Sequence, residues 1–353
     1  MIVYGCKYLQ NCIGGFLFLT LYTTFFRNIF TPMQSFELLS RKFAIHFEQQ
    51  HFPSEPANLY EPNEYFLKLG GKRIRPVLCL MGNELFDDIK ADAWEVGSAI
   101  ELFHNFTLIH DDIMDKAPLR RGMETIHVKY DENVALLAGD VMLVKAYQQL
   151  EKVQSEFLHS ILHLFNKTAA EVCEGQQWDM DFEKKEIVEL DEYLRMIELK
   201  TSVLLAASLK MGAILGGAGE RNQNLVYEFG KKLGIAFQVQ DDYLDAFGDP
   251  QKFGKQVGGD ILANKKTFLL IHAFETASGS QKEELSELLS ANAPDKIERV
   301  LKIFKDCKVD RWALELKNKY LDEAFLHLED IAVVSKRKQP LKELAQFLVK
   351  REH

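Results

Sequence analysis

The sequence predicts an all-α protein built as one large domain. Apolar residues recur at helical spacing along most of the chain, as in the stripe Leu341, Leu344 and Leu348. No segment alternates convincingly between apolar and polar residues, and no hairpin turn lies between β-branched runs. Turn signals rich in Gly and Pro separate the helical segments, but no long linker or low-complexity tract divides residues 33–353. We therefore expect about ten helices in that domain.

Bulk composition bounds the class of protein. The chain has 353 residues, of which 47% are hydrophobic, so it can bury a large core. Its net charge of −9, from 43 basic and 52 acidic residues, argues against a nucleic-acid-binding protein, which normally carries a basic excess. The 5 cysteines are scattered without a C-x-x-C pair, so the sequence predicts neither a disulfide framework nor a zinc site. A reducing cytosol is the expected compartment.

The first 32 residues differ in composition from the rest of the chain. Residues 1–32 carry only the charges of Lys7 and Arg27 and include an uncharged run at 13–26. That run is short for a spanning helix, which needs about 20 residues, and no small-residue cleavage site follows it. Because an amphipathic helix begins near Met33, we favour a translation start there or a dispensable extension. A membrane anchor and an exported precursor are the alternatives, and membrane contact is expected only if the segment is retained.

Two D-D-x-x-D clusters lie in apolar helical segments. On a helix, residues four apart share a face, so the first and last aspartates of each cluster point the same way. Clustered carboxylates resist burial unless a counter-charge accompanies them, and hard divalent cations prefer such oxygen ligands. A single cluster is equally well explained as a solvated acidic face, but two favour a site where Mg²⁺ holds a phosphate-bearing substrate. The candidate ligands are Asp111, Asp112, Asp115, Asp241, Asp242 and Asp245.

Basic residues accompany both acidic clusters. Each of these side chains alone is typical of a solvated surface, but their positions beside the aspartates indicate diphosphate binding, for which Arg is well suited. Flexible glycines precede the first group, in LGGKRIRP, and allow close approach of the backbone. The candidates are Lys72, Arg73, Arg75, Arg120, Arg121, Lys255, Lys265 and Lys266.

These motifs together resemble those of the all-trans prenyl diphosphate synthases, or polyprenyl synthetases, of the short-chain type. The resemblance runs from about residue 60 to 270 and includes GGKRIRP, ELFHNFTLIHDDIMD, LAGD, GQQWD, FQVQDDYLD, FGKQVGGDI and NKKT, in that order. It implies a helical bundle of the isoprenoid synthase type with a central cavity. It also implies a homodimeric, Mg²⁺-dependent prenyltransferase that condenses isopentenyl diphosphate with dimethylallyl, geranyl or farnesyl diphosphate.

The resemblance further implies roles for individual residues. All six aspartates would hold about three Mg²⁺ ions, with Mn²⁺ as an alternative metal. The allylic diphosphate site would comprise Arg120, Lys200, Lys255 and Lys265. The isopentenyl diphosphate site would comprise Lys72, Arg75, His104 and Arg121, although some relatives have Gln in place of His104. The catalytic set would be Lys200 with the polar side chains of Thr201, Gln176 and Gln238 near the carbocation; ordinary helix packing is the alternative for these three polar residues.

Phe106 and Thr107 are the candidate determinants of product length. They precede Asp111 by five and four residues, so the Phe106 ring could form the floor of the pocket for the growing chain; ordinary core packing of Phe106 is the alternative. In the family, a large side chain there indicates short products. We expect the twenty-carbon geranylgeranyl product, with the fifteen-carbon farnesyl product as the alternative. A class I terpene cyclase and a non-catalytic partner subunit are competing interpretations.

Overall fold

The computed structural model of the protein describes residues 33–48, 51–249, 257–290 and 293–349. The N-terminal extension 1–32 and the predicted diphosphate ligand Lys255 lie outside these described residues. The prediction of an all-α fold is confirmed. The helices are α1 Phe36–Phe47, α2 Ala57–Lys68, α3 Ile74–Glu84, α4 Ala91–Met114, α5 Ile126–Lys129, α6 Glu132–Leu150, α7 Ser155–Lys184, α8 Leu190–Ile197, α9 Val203–Leu215, α10 Glu220–Phe247, α11 Gly259–Leu262, α12 Phe268–Thr276, α13 Gly279–Ser290, α14 Lys296–Asp306, α15 Val309–Asp330 and α16 Ser335–Val349.

The helices outnumber the ten that the sequence led us to expect, because short helices such as α5 and α11 join the long ones. A π-helical segment, Glu198–Ser202, connects α8 directly to α9. The described residues also include one small hairpin that the sequence analysis missed, in which β1 Leu119–Arg120 pairs antiparallel with β2 Met123–Glu124. Its two-residue turn has positive φ at both Arg121 (54°) and Gly122 (79°), as hairpin turns require. The strands are too short to produce an alternating pattern.

The core forms around α9, whose residues are buried almost throughout. It packs against α3 on one side and α10 on the other, while α4 packs along α6 and α10 along α15. Glycines bring α3 and α9 into backbone contact: a Cβ at Gly212 would lie 1.9 Å from the Cys79 carbonyl oxygen, and one at Gly82 would lie 2.2 Å from that of Leu209. Such contact fixes the two helices rigidly.

Both aspartate motifs fall in the last turns of long helices, α4 and α10. The C-terminal end of a helix carries partial negative charge, so it disfavours additional carboxylates. This position adds to the repulsion within each motif and increases the need for a nearby cation. None of the helices in the described part of the chain is long and apolar enough to cross a membrane.

Candidate active site

A cavity of about 600 Å³ lies between α4, α7, the π-helical segment and α10. It collects predicted site residues that are far apart in sequence. Those that line it are Arg75, His104, Phe106, Thr107, Asp111, Arg120, Gln176, Lys200, Thr201, Gln238 and Asp241. The cavity wall contains carboxylates and cations together with apolar side chains such as Leu204 and Phe237. Its size is typical of a small-molecule site.

The three aspartates of the first motif have different surroundings: one lines the cavity, one is buried and one is exposed. Asp111 lines the cavity, and its burial raises the pKa of its carboxyl to about 6. Asp115 caps the end of α4 and is exposed. Asp112 is only 2% exposed and accepts hydrogen bonds from Arg120, with Nε at 2.9 and 2.8 Å and Nη2 at 2.7 Å. Asp112 does not line the cavity, because successive helical residues point about 100° apart, and its role as a metal ligand stays a prediction.

The three aspartates of the second motif also differ in their surroundings. Asp241 lines the cavity. Asp242 is buried, and its carboxylate accepts hydrogen bonds from the Tyr193 hydroxyl and from Gln238 Nε2, the latter at 2.9 Å. Asp245 accepts a hydrogen bond from the Asp260 backbone N–H at 2.9 Å and so anchors the start of α11. Asp242 and Asp245 do not line the cavity, and their role as metal ligands stays a prediction.

The donor set fits a metal that a diphosphate helps to bind. Across the described ranges, no three His, Cys, Asp or Glu side chains converge closely enough to hold a metal by themselves. Asp111 and Asp241 instead line one cavity from different helices. Mg²⁺ commonly uses one or two carboxylates together with water and substrate phosphates. The burial of Asp111 disfavours its charged form, and a bound cation would reverse that effect.

Lysine side chains lie beside carboxylates near the cavity. Lys200 Nζ lies 2.6 Å from Asp179 Oδ2 at the cavity edge. Burial alone would lower the pKa of Lys265, but the carboxylates of Asp242 and Asp260 raise it above its usual value, so Lys265 is charged. Its neighbour Lys266 points elsewhere and donates to the Phe182 carbonyl at 2.7 Å, at the end of α7.

A second pocket, of about 390 Å³, adjoins the first and is cationic. All four residues expected to bind isopentenyl diphosphate line it: Lys72, Arg75, His104 and Arg121. His104 Nε2 accepts a hydrogen bond from Arg75 Nη1 at 3.0 Å. Burial, together with the neighbouring arginines, holds the pKa of His104 well below its usual value, so the imidazole is neutral and can accept. Burial also lowers the pKa of Arg75 to about 10, and its Nε has no hydrogen-bond partner among the described residues.

The sequence analysis missed two residues that contact predicted site residues, Glu101 and Tyr193. Glu101 lies at the wall of the cationic pocket, 3% exposed, and forms an ion pair with Arg73, which lines the same pocket. A signal existed, because Glu101 is an acid in an apolar stretch, three residues from His104 on the same helix. Tyr193 had no such signal, since only the packing of α8 on α10 brings it to Asp242.

The Tyr193→Phe variant should lose about 1–3 kcal/mol of unfolding free energy. Tyr193 is 1% exposed, and removing its hydroxyl leaves one carboxylate oxygen of the buried Asp242 without its donor. Urea denaturation monitored by circular dichroism measures the change. Tyr130→Phe, at a more exposed tyrosine, is the control and should stay within about 0.5 kcal/mol of the parent protein. Equal stability of the two variants would contradict the role assigned to the Tyr193 hydroxyl.

Comparison with known proteins identifies related chains over most of the length. The family profile described as polyprenyl synthetase matches residues 56–307. A short chain isoprenyl diphosphate synthase of Methanocaldococcus jannaschii is 40% identical over 261 residues, which are 73% of this chain and 80% of that protein. A geranylgeranyl diphosphate synthase of Methanosarcina mazei is 36% identical over 307 residues, 85% of this chain and 92% of the relative. A solved geranylgeranyl pyrophosphate synthase superimposes with a TM-score of 0.86 at 42% identity and covers 91% of this chain and 100% of its own.

Proposed function

The chain belongs to the polyprenyl synthetase family and is a prenyltransferase, and from this premise we propose that it condenses isopentenyl diphosphate with allylic diphosphates to make geranylgeranyl diphosphate. One observation carries the proposal: the cavity that contains Asp111 and Asp241 and the cationic pocket share a wall formed by Arg75 and His104. Two diphosphate substrates could therefore bind side by side, with their hydrocarbon parts meeting in the cavity.

The cationic pocket is suited to hold isopentenyl diphosphate. Lys72, Arg75 and Arg121 supply charge, and the unpartnered Arg75 Nε is a buried donor that a phosphate oxygen would satisfy. His104 keeps the Arg75 guanidinium in place by accepting its Nη1 hydrogen bond. Glu101 is neutralised by Arg73, so the pocket keeps its net positive charge.

The allylic diphosphate would bind in the neighbouring cavity against Arg120 and Lys200, with Lys255 and Lys265 as further cations. Mg²⁺ bound by Asp111, Asp115 and Asp241 would neutralise the leaving diphosphate, a contribution worth several kcal/mol. Arg120 is held by the buried carboxylate of Asp112, so this motif residue orients a substrate-binding cation.

In the reaction itself, the allylic C–O bond breaks and its electron pair leaves with the diphosphate. The double bond of isopentenyl diphosphate then forms the new carbon–carbon bond with the cation, and a proton passes to the released diphosphate. The chain contributes oxygen dipoles near the cation. Thr201 donates its hydroxyl hydrogen to Gln238 Oε1 at 3.2 Å, and Gln176 Oε1 is buried with no hydrogen-bond partner in the described part of the chain. Such preoriented oxygens stabilise developing positive charge without reorganisation.

The Phe106→Ala variant should make longer products than the parent protein. Phe106 lies at the cavity wall about 7.5 Å along α4 from Asp111, at a rise of 1.5 Å per residue. Its removal opens space where the tail of the growing chain would stop. Mass spectrometry of products made from farnesyl diphosphate measures the change. An unaltered product distribution would contradict the assignment of Phe106 as the floor of the pocket.

The other interpretations differ in their substrates. A terpene cyclase acts on one diphosphate and would have no use for the second, cationic pocket. A non-catalytic partner subunit would need another chain for activity. We also propose a cytosolic homodimer, which is consistent with the exposed apolar side chains Leu136, Leu137, Val144 and Tyr147 on α6.

The proposed function is tested by supplying protein that starts at Met33 with isopentenyl diphosphate, Mg²⁺ and each of dimethylallyl, geranyl and farnesyl diphosphates. Elongation that stops at twenty carbons is expected. Products that stop at fifteen carbons would support the prenyltransferase activity but would identify farnesyl diphosphate as the product. Folded protein that elongates none of the three primers would contradict the proposal in favour of the cyclase or partner-subunit alternative.

A further inference from the structure

His110 fills the space between Phe106 and α6. Its ring contacts the Phe106 ring edge to face, with centroids 4.7 Å apart and planes at 64°. On its other side, Nε2 lies 3.2 Å from the Leu136 carbonyl oxygen on α6. A carbonyl oxygen can only accept, so Nε2 carries the hydrogen and donates it. The imidazole is therefore held to α6 by a hydrogen bond and to Phe106 by ring packing.

The backbone of α6 prevents His110 from moving away from Phe106. A Cβ at Gly139 would lie 2.2 Å from His110 Nε2 and 2.4 Å from its Cδ2, so the imidazole rests directly on the helix backbone. A backbone surface cannot rotate aside as a side chain can. Gly139 is the residue that lets the ring fit there, because any larger residue would overlap it.

The Phe106 ring is held on its other side as well. The Phe103 ring lies 5.7 Å away, and Phe103 itself packs edge to face against Phe165 on α7 at 5.2 Å. Phe106 thus lies between the ring of Phe103 and that of His110. Its position in the cavity depends on both neighbours, and His110 connects it to α6.

We propose that His110 and Gly139 determine product length, by fixing the position of the Phe106 ring in the cavity. The inference rests on the proposed function and deepens it, since it concerns which chain length the same site permits. His110 itself lines the cavity beside Phe106, and the role proposed for it is that of a positioning residue that acts through Phe106. Loss of its ring frees Phe106 to move toward α6 and lengthens the cavity, whereas a side chain at Gly139 pushes the imidazole toward Phe106 and shortens it.

The test compares products formed from farnesyl diphosphate and isopentenyl diphosphate by three variants. His110→Ala should raise the ratio of longer product to parental product about two- to tenfold, since an aromatic pair contributes about that factor. His110→Gln keeps an N–H donor for Leu136 but lacks the ring, and it should lengthen products likewise. Gly139→Ala should shift products in the opposite direction, toward shorter chains.

Controls separate this inference from the proposed function. His163→Ala, at an exposed histidine on α7, should leave the product distribution unchanged. Thermal melting identifies any variant that fails to fold, and the product lengths of the two folded variants then test the inference. Parent protein that makes no product contradicts the proposed function. Parent protein that elongates normally, with unchanged product lengths in the folded His110 and Gly139 variants, overturns only the inference. If His110→Gln protein makes products of parental length while His110→Ala protein makes longer ones, the role assigned to the ring is wrong.

Discussion

Asp111→Asn should lower kcat by at least about a thousandfold, because Asp111 is a proposed carboxylate ligand of the metal that would stabilise the leaving diphosphate. Asn keeps the size of the side chain, so the change is one of charge. The KM for isopentenyl diphosphate should change little, since that substrate is expected in the adjoining cationic pocket, to whose wall Asp111 does not belong. Steady-state kinetics with each substrate varied in turn measures both effects.

The same substitution should stabilise the protein in the presence of a metal chelator at pH 7. Burial raises the pKa of Asp111 to about 6, above its value in the unfolded chain. A carboxyl with a raised pKa contributes stability at low pH that is lost as pH rises through the folded-state pKa. The gain from Asn should therefore be of order 2 kcal/mol at pH 7 and should vanish near pH 4.

Asp322→Asn is the matched control, because Asp322 is exposed on α15. It should change neither kcat nor the pH dependence of stability. Asp111→Asn protein with parental kcat would contradict the metal role of Asp111. A stability difference from the parent that does not depend on pH would contradict the electrostatic origin of the effect.

Arg75→Lys should raise the KM for isopentenyl diphosphate about 10- to 100-fold, the range expected for lost hydrogen bonds to a charged group. Lys keeps the positive charge but lacks the planar fork and the Nε donor. It also loses the geometry of the hydrogen bond from Arg75 Nη1 to His104. The KM for the allylic substrate should rise less, because Arg120 and Lys200 remain.

Arg41→Lys is the control for the arginine substitution, since Arg41 is exposed on α1. It should leave both KM values unchanged. If only the KM for the allylic substrate increases in Arg75→Lys protein, the cationic pocket is not the binding site of isopentenyl diphosphate.

The helical content and the grouping of the cationic residues could be predicted from the sequence. Helical spacing is visible locally, and the family resemblance implies one site for Lys72, Arg75, His104 and Arg121, which the structure brings to one pocket. The hairpin at residues 119–124 could not be predicted, because two-residue strands leave no periodic signal.

The different orientations of the aspartates depend on tertiary contacts. Spacing indicated that Asp111 and Asp115 share a face, but the partner of Asp112 is Arg120 across a turn. Likewise, the burial of Asp242 requires Tyr193, which lies 49 positions earlier in the chain. A motif read along the sequence gives residue types at a site, whereas the packing of helices decides which of them reach the cavity.

We propose that two adjoining pockets bind two diphosphates in different ways. The most direct test is calorimetric titration of the protein with isopentenyl diphosphate and, separately, with an allylic thiodiphosphate that does not ionise, each with Mg²⁺ and with chelator. We expect isopentenyl diphosphate to bind in both conditions. The allylic analogue should bind tightly only with Mg²⁺, and Asp111→Asn should abolish that enhancement. Equal dependence of both ligands on Mg²⁺, or none for either, would contradict the division of the site.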